Sequence, residues 1–291
     1  MLNIIVAPRS HNKNGEKHIK KIVKFLKQEK QEFSVYFLRS LLDMEATVKE
    51  ITSFGEIEFV IVGDDIVINE FINSIKDITK IKFGIIPTSK NDDFASYIGI
   101  NHKPVLAIKD IVQRNVCEID LMIVNEVKVL NNVVIGASVR VMERYNQFKI
   151  KNKLSEKIAV AKYASKFEGE QLNMSVKNGK SKLENVYELV VANGGKNRGK
   201  VVSPLANVKD GMFNLTYANL SAKSDNVKNL KLFNKGKHIY SENTKQHWLN
   251  NIKISNDSNL IKASVDGKLM EFEKLDISIV EKGLKLFKTE N

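Results

Sequence analysis

In the first part of the chain, short continuous apolar runs alternate with stretches whose apolar residues recur every three or four positions. Leu2 to Ala7 reads as a buried strand, and Gly15 to Lys30 as a helix, because Ile19, Ile22, Val23 and Leu26 share one face. Phe33 to Leu38 is strand-like, rich in aromatic and β-branched residues. Ser40 is placed to cap a helix running to Ser53, Glu58 to Val62 is a buried strand, and Asn69 to Ile78 is a helix. Lys82 to Ile86 gives the next strand, which Pro87 ends. Continuous apolar strands spaced by helices predict a parallel sheet covered on both faces.

Past residue 115 the texture changes. Met174 to Lys177, an Asn178-Gly179 hairpin signal and Val186 to Ala192 read as antiparallel strands. Asn214 to Leu220, Ile252 to Ile254, Leu260 to Val265 and Leu275 to Val280 continue the pattern. One helical stretch, Val139 to Phe167, interrupts it, and Asn226 to Lys245 reads as loop. The fold class expected is α/β plus β: a parallel-sheet domain over residues 1–121, then an antiparallel, β-sandwich-like domain over 122–291. The closing strand is expected to return toward the first domain.

Composition narrows the functional classes. No apolar run reaches the roughly 18 to 20 residues of a membrane-spanning helix, since runs such as Phe59 to Val62 are strand-sized. The opening residues lack the charged flank and long apolar region of a signal peptide, so a cytoplasmic location is expected, with peripheral contact at a membrane. The single cysteine, Cys117, makes no intrachain disulfide and reads as a packing residue; no Cys/His cluster has zinc spacing. The net charge of +12 favours anionic partners, namely phosphates, nucleic acid or acidic lipid headgroups. Nucleic acid is disfavoured, because no recognition motif accompanies the charge. His11, His18, His102, His238 and His247 show no telling spacing and read as surface residues, Trp248 reads as core or rim packing, and Arg9 to His18 is a basic loop able to meet phosphate.

Ligands of open parallel sheets sit where strands end and helix N-termini expose backbone N–H groups. Two turns here have that form: Val62-Gly63-Asp64-Asp65-Ile66-Val67-Ile68-Asn69-Glu70, and Ile86-Pro87-Thr88-Ser89-Lys90-Asn91-Asp92-Asp93-Phe94-Ala95. Gly-Asp at a strand end and Asp at a helix start also serve as plain turn and cap chemistry. The turns are expected to lie side by side.

The first turn resembles the diacylglycerol kinase signature Gly-Gly-Asp-Gly-Thr-x-Asn-Glu through Gly63, Asp65, Asn69 and Glu70. The second resembles Pro-x-Gly-Thr-x-Asn-Asp-Phe-Ala through Pro87, Asp93, Phe94 and Ala95. Ile119-Asp120, Asn132, Gly136, Asn193-Gly194, Gly199, Ser203-Pro204, Ala206, Asp210-Gly211 and Val265-Asp266-Gly267 follow in the family's order. The chain is therefore similar to the soluble bacterial diacylglycerol/lipid kinases. The resemblance implies an ATP-binding first domain, Mg²⁺, and transfer of the γ-phosphoryl group to a lipid hydroxyl. It implies a nucleotide site at Gly63, Asp64, Pro87, Ser89, Lys90 and Asp93, a catalytic Asp65, and a structural Mg²⁺ near Asp210. It also implies lipid, anionic membrane and nucleotide as partners; a homodimer is a further expectation.

The departures point the other way. Asp64 stands at the family's second glycine and puts a carboxylate where phosphates should approach. Ile66 and Val67 replace Gly-Thr, Ser89 and Lys90 replace the second Gly-Thr, and Asp92 replaces Asn. Ala7-Pro8-Arg9-Ser10 resembles the family's Asn-Pro-x-Ser/Ala-Gly loop without its asparagine, and Lys209 replaces the first acid of Asp-Asp-Gly. Lys268 occupies the position of the family's general-base glutamate, yet an ammonium has no lone pair to accept a proton. Impaired transfer is expected, with a non-catalytic protein that binds nucleotide, lipid or a protein partner as the alternative.

Overall fold

The computed structural model describes residues 1–6, 15–53, 55, 57–89, 92–176, 179–220, 222–257 and 259–289. The sequence expectations for Ala7-Pro8-Arg9-Ser10, for His11, for Lys90 and Asn91, and for Lys177 and Asn178 lie outside these residues. Contacts divide the chain into two units, 1–121 with 281–291 and 122–280.

The first unit contains β1 (Leu2–Val6), α1 (Gly15–Gln28), β2 (Phe33–Phe37), α2 (Met44–Thr52), β3 (Ile57–Gly63), α3 (Asp65–Ser74), β4 (Ile81–Pro87), α4 (Asp93–Tyr97), α5 (Pro104–Val112) and the start of β5 (Val116–Val124). Its strands run parallel in the order β2-β1-β3-β4. The closing residues pair with β4, Lys285 opposite Lys82 and Leu286 opposite Phe83. Alternation along β3 divides the burial. Val60 and Val62 pack with Ile19, Ile22 and Leu26 of α1 and Ile108 and Ile111 of α5. Phe59 and Phe83 instead meet Phe71 of α3 edge-on, at 5.1 and 5.4 Å between centroids. Both faces of the sheet are thus buried, which is why its strands are apolar throughout.

The second unit adds β6 (Val127–Val129), β7 (Asn132–Gly136), α6 (Ala137–Asn146), α7 (Lys153–Tyr163), β8 (Glu170–Val176), β9 (Gly179–Ala192), β10 (Lys196–Asn197), β11 (Lys200–Val201), β12 (Phe213–Asn219), α8 (Lys223–Phe233), β13 (Thr244–Leu249), β14 (Asn251–Ser255), β15 (Ile261–Val265), β16 (Lys268–Phe272) and β17 (Lys274–Phe287), whose last residues belong to the first unit. β9 organises it: its first half pairs antiparallel with β8, its second half with β7 and β12. The core gathers Val133 and Ile135, Leu189 and Val191, Leu215, Ile252 and Ile254, and Leu275 and Ile277.

Five expectations need correction. The stretch Val139 to Phe167 is two helices, because Asn152 caps α7 through the amides of Leu154 and Ser155 while Ser155 returns a bond to Asn152. Asn226 to Lys245 is not loop: it carries most of α8 and the start of β13. The helix expected at Asn69 begins at Asp65, and Ser40 caps a short 3-10 turn, Leu41–Asp43, that leads into α2. His238 is buried rather than at the surface, its ring stacked on Phe233 at 4.1 Å. Trp248 is half exposed on β13.

Candidate functional site

β3 and β4 lie in register so that Gly63 pairs with Pro87, which sets the two turns side by side. The Thr88 amide donates to the Gly63 carbonyl, joining them. Gly63 is required by close approach: a Cβ there would stand 2.5 Å from the Cβ of Val67, which is fully buried. Ile66, next to it, is mostly exposed.

The acids of the turns are turned onto the backbone. Asp64 is the N-cap of α3, its carboxylate accepting from the Val67 amide at 3.3 Å. Asp65 caps another helix, accepting from the Asp93 and Phe94 amides at the start of α4, at 2.5 and 3.2 Å. Asp92 accepts from the Ser89 amide at 3.1 Å. Burial pushes the Asp92 carboxyl up to about 7; the Ser89 bond opposes this, and the nearby Asp65, Asp64 and Asp93 add to it. His102, half-buried, spans the second turn, with Nδ1 3.0 Å from the Ser89 carbonyl and Nε2 3.0 Å from the Ser96 hydroxyl. A carbonyl only accepts, so Nδ1 is the donor to Ser89.

Of the expected nucleotide residues, Gly63, Asp64, Pro87, Ser89 and Asp93 are thus brought together with Asp65. Asp92 and His102 join the same constellation without having been singled out as site residues. The Asp-Asp pair at a helix start was the available signal for the first; nothing local marks the second. The Val67, Ser89, Asp93 and Phe94 amides at these turns are engaged by carboxylates, whose charge would repel a phosphate approaching them.

In the second unit, Asp266 takes a positive φ of 45° and accepts from the Leu130, Asn131 and Asn132 amides at 2.7, 2.8 and 3.0 Å. The Asp266-Gly267 turn thereby fixes the segment entering β7. Lys268 follows it, exposed to solvent. Asp210 accepts from the Met212 amide at 3.1 Å within a turn. Among the described residues no three His, Cys, Asp or Glu side chains converge as a metal set.

A small cavity of about 70 Å³ lies in this unit, lined by Val139, Val160, Val190 and Phe233 with Glu188 and Ser264. Glu188 is buried, and burial pushes its carboxyl up to about 7 although the Ser138 hydroxyl and amide and the Ala137 amide all favour the anion. It serves the start of α6, where Gly136 at φ 121° has no side chain to cap with and a Cβ would strike the Tyr187 carbonyl at 2.4 Å.

The model of the diacylglycerol kinase catalytic domain matches residues 1–124, and that of the YegS C-terminal NAD kinase beta sandwich-like domain matches residues 131–287. A protein of Bacillus anthracis str. Sterne assigned as a diacylglycerol kinase superposes with a TM-score of 0.80 at 17% identity, over 99% of this chain and 96% of that chain. A diacylglycerol kinase of the same organism gives 0.75 at 14%, over 99% and 96%. An NAD kinase from Archaeoglobus fulgidus, solved with ATP, gives 0.53 at 14%, over 100% and 94%. No curated protein matches the sequence. The structural likenesses define a fold class, that shared by diacylglycerol and NAD kinases. With the two family models spanning nearly its whole length, the chain belongs to the diacylglycerol-kinase-like lipid kinase family.

Proposed function

We propose that this protein is a lipid kinase homologue in which ATP-dependent phosphorylation of a lipid hydroxyl is impaired at the nucleotide. One observation carries the reading: Asp64, Asp65 and Asp92 occupy the amides of Val67, Asp93, Phe94 and Ser89. A triphosphate would have to displace fixed carboxylates and meet their repulsion. Nucleotide contact, where it occurs, involves Gly63, Pro87, Ser89, Asp93 and Lys90. A second reading, a non-catalytic binding protein of the same fold, is favoured by Lys268, which offers no base for the hydroxyl proton.

Calorimetry with Mg·ATP and phosphate transfer to diacylglycerol in mixed micelles test the proposal. Binding weaker than micromolar and slow transfer are expected, because loss of a general base alone removes about 10² to 10⁴ in rate. Lys268→Glu should raise transfer, provided nucleotide still binds. Micromolar Mg·ATP affinity with robust wild-type turnover, lowered by Lys268→Glu, refutes it.

A further inference from the structure

A cavity of about 530 Å³ opens in the first unit, at the end of the sheet opposite the two turns. Small-molecule pockets commonly measure about 300 to 1,000 Å³. Ile57, which lines the cavity, starts β3, and Gly63 ends that strand, so at about 3.3 Å per residue the cavity stands about 20 Å from the turns. Asn3 of β1 and Tyr36 of β2 line it from the sheet face away from α1. Leu2 and Ile4 pack with α1, so Asn3 alternates to the other side, and Tyr36 sits opposite Ile5 in the pairing of β1 with β2. α2 adds Glu50 and Ile51.

Asn3 is only 5% exposed; its Nδ2 donates to the Glu58 carbonyl at 3.3 Å, and its Oδ1 has no partner among the described residues. The Tyr36 hydroxyl and the Glu50 carboxylate have none there either. These three acceptors match the three N–H donors of an ammonium. Toward β4 the lining turns basic, with Lys80 and the half-buried Lys82. Lys80 pairs with Asp77 at 3.5 Å, but both are exposed, and a pair of that kind holds its lysine weakly against a ligand carboxylate. Glu58, which also lines the cavity, is bound by Arg114 at 3.0 Å. The cavity therefore carries two acids and two bases. A nucleotide would face the acids and a simple amine the lysines, whereas a ligand with one charge of each sign finds a counterpart for both. Ile51 and Ile57 supply apolar contact.

We propose that this cavity binds a free α-amino acid with an apolar side chain, its ammonium on Glu50, Asn3 and Tyr36, its carboxylate on Lys80, and its side chain on Ile51 and Ile57. The ligand stays clear of the turns at the other end of β3 and β4. The inference goes beyond phosphate transfer and requires neither ATP nor turnover.

Calorimetry on the full chain, without nucleotide, tests it with L-leucine and L-phenylalanine. Each is run beside the analogues that lack one charge: 3-methylbutylamine and 4-methylpentanoate for leucine, 2-phenylethylamine and 3-phenylpropanoate for phenylalanine. At least one amino acid should bind with a Kd below about 1 mM, and its two analogues about tenfold or more weakly, since each loses hydrogen bonds to a charged group. Glu50→Gln should weaken the amino acid about tenfold while leaving the carboxylate analogue unchanged, and Lys80→Gln should weaken it about fivefold while leaving the amine analogue unchanged. Where an analogue binds too weakly to titrate, the loss on the amino acid decides. Both residues are exposed, circular dichroism checks the fold, and Tyr36→Phe, with a loss of about threefold, is the further variant. Failure of both amino acids to bind at about 10 mM overturns the proposal, as does an analogue that binds as well as its parent. Full binding by folded Glu50→Gln and Lys80→Gln, or adenosine monophosphate bound more tightly than either amino acid and lost in Lys80→Gln, does so too. The Mg·ATP titration uses no amino acid, so failure of either experiment leaves the other result standing.

Discussion

Replacing Asp65 separates two roles for its carboxylate that predict opposite signs. In the structure the group accepts from the Asp93 and Phe94 amides across 28 residues of sequence, and both of those residues are buried, Phe94 fully. Asp65→Ala leaves two amides with little access to water. Hydrogen bonds to a charged group contribute about 1.5 to 3 kcal/mol each, and loss of a helix cap costs about 0.5 to 2 kcal/mol. Since α4 can shift somewhat to recover solvent, a loss of about 3 kcal/mol is expected for Ala and roughly half that for Asn, which keeps one acceptor oxygen. If Asp65 were instead a metal ligand idle in metal-free protein, its removal would relieve repulsion among Asp64, Asp92 and Asp93 and raise stability. Urea unfolding followed by far-UV circular dichroism in chelator-treated, nucleotide-free buffer gives the sign. Hydrogen exchange gives the location, because the Asp93 and Phe94 amides should exchange about 10² faster in Asp65→Ala. A loss below about 0.5 kcal/mol, or a gain, would refute the capping role.

Gly63→Ala should destabilise the first unit by about 2 kcal/mol or more, because its Cβ meets the Cβ, Cγ1 and Cγ2 of Val67 at 2.5, 2.6 and 2.9 Å, and Val67→Ala in the same chain, which removes the two Cγ atoms, should recover part of that loss; additive losses in a double-mutant cycle would contradict the contact. His238 gives a pH signature. Burial, only partly offset by the Leu232 backbone, lowers its pKa from 6.5 to about 4, so the unfolded chain takes up a proton that the folded chain refuses. The stability this represents is complete above pH 6.5 and is lost as pH falls toward 4. The stability difference between wild type and His238→Phe should therefore move against wild type by about 2 kcal/mol from pH 7 to pH 5, measured by urea unfolding on Trp248 fluorescence; an unchanged difference would contradict it. Comparing the two proteins removes the opposing trend from Glu188, whose raised carboxyl pKa sheds stability as pH rises from 4.5 to about 7.

The alternating architecture was legible because buried parallel strands must be apolar on both faces and their helices on one, a pattern that Val60 and Phe59 obey on opposite sides of β3. The adjacency of the two turns followed from the same pattern. What each carboxylate does was not legible. Asp64 and Asp65 are neighbours of the same type, yet one caps its own helix and the other a helix 28 residues away, a choice made by the register of β3 against β4. The break between α6 and α7 had a local signal in Asn152 and Ser155, which can cap reciprocally, whereas the broad apolar spacing from Val139 to Phe167 concealed it. α8 read as loop because its lysines and asparagines hide Leu230 and Phe233, the buried side chains that hold it. His238 has no local signal at all, since its burial depends on the ring of Phe233.

The substitutions at the first turn act as a set, which bears on how transfer could be restored. Asp64→Gly would clear the carboxylate from the phosphate approach, but it also removes the side-chain cap of α3 from the Val67 amide. Ile66→Gly would free the backbone but place a glycine in the first turn of that uncapped helix, at about 1 kcal/mol. Val67→Thr would supply a hydroxyl donor but put it in a fully buried position packed against Gly63. Each step toward a phosphate-binding turn thus weakens α3, and an α3 that frays misplaces Asp65 and with it the start of α4. With nucleotide present, phosphate oxygens could accept the amides that the carboxylates release, so the combined changes should be less costly in its presence than in its absence. The present turn has the reverse design: its anions are built in, and the helix starts are satisfied without a ligand.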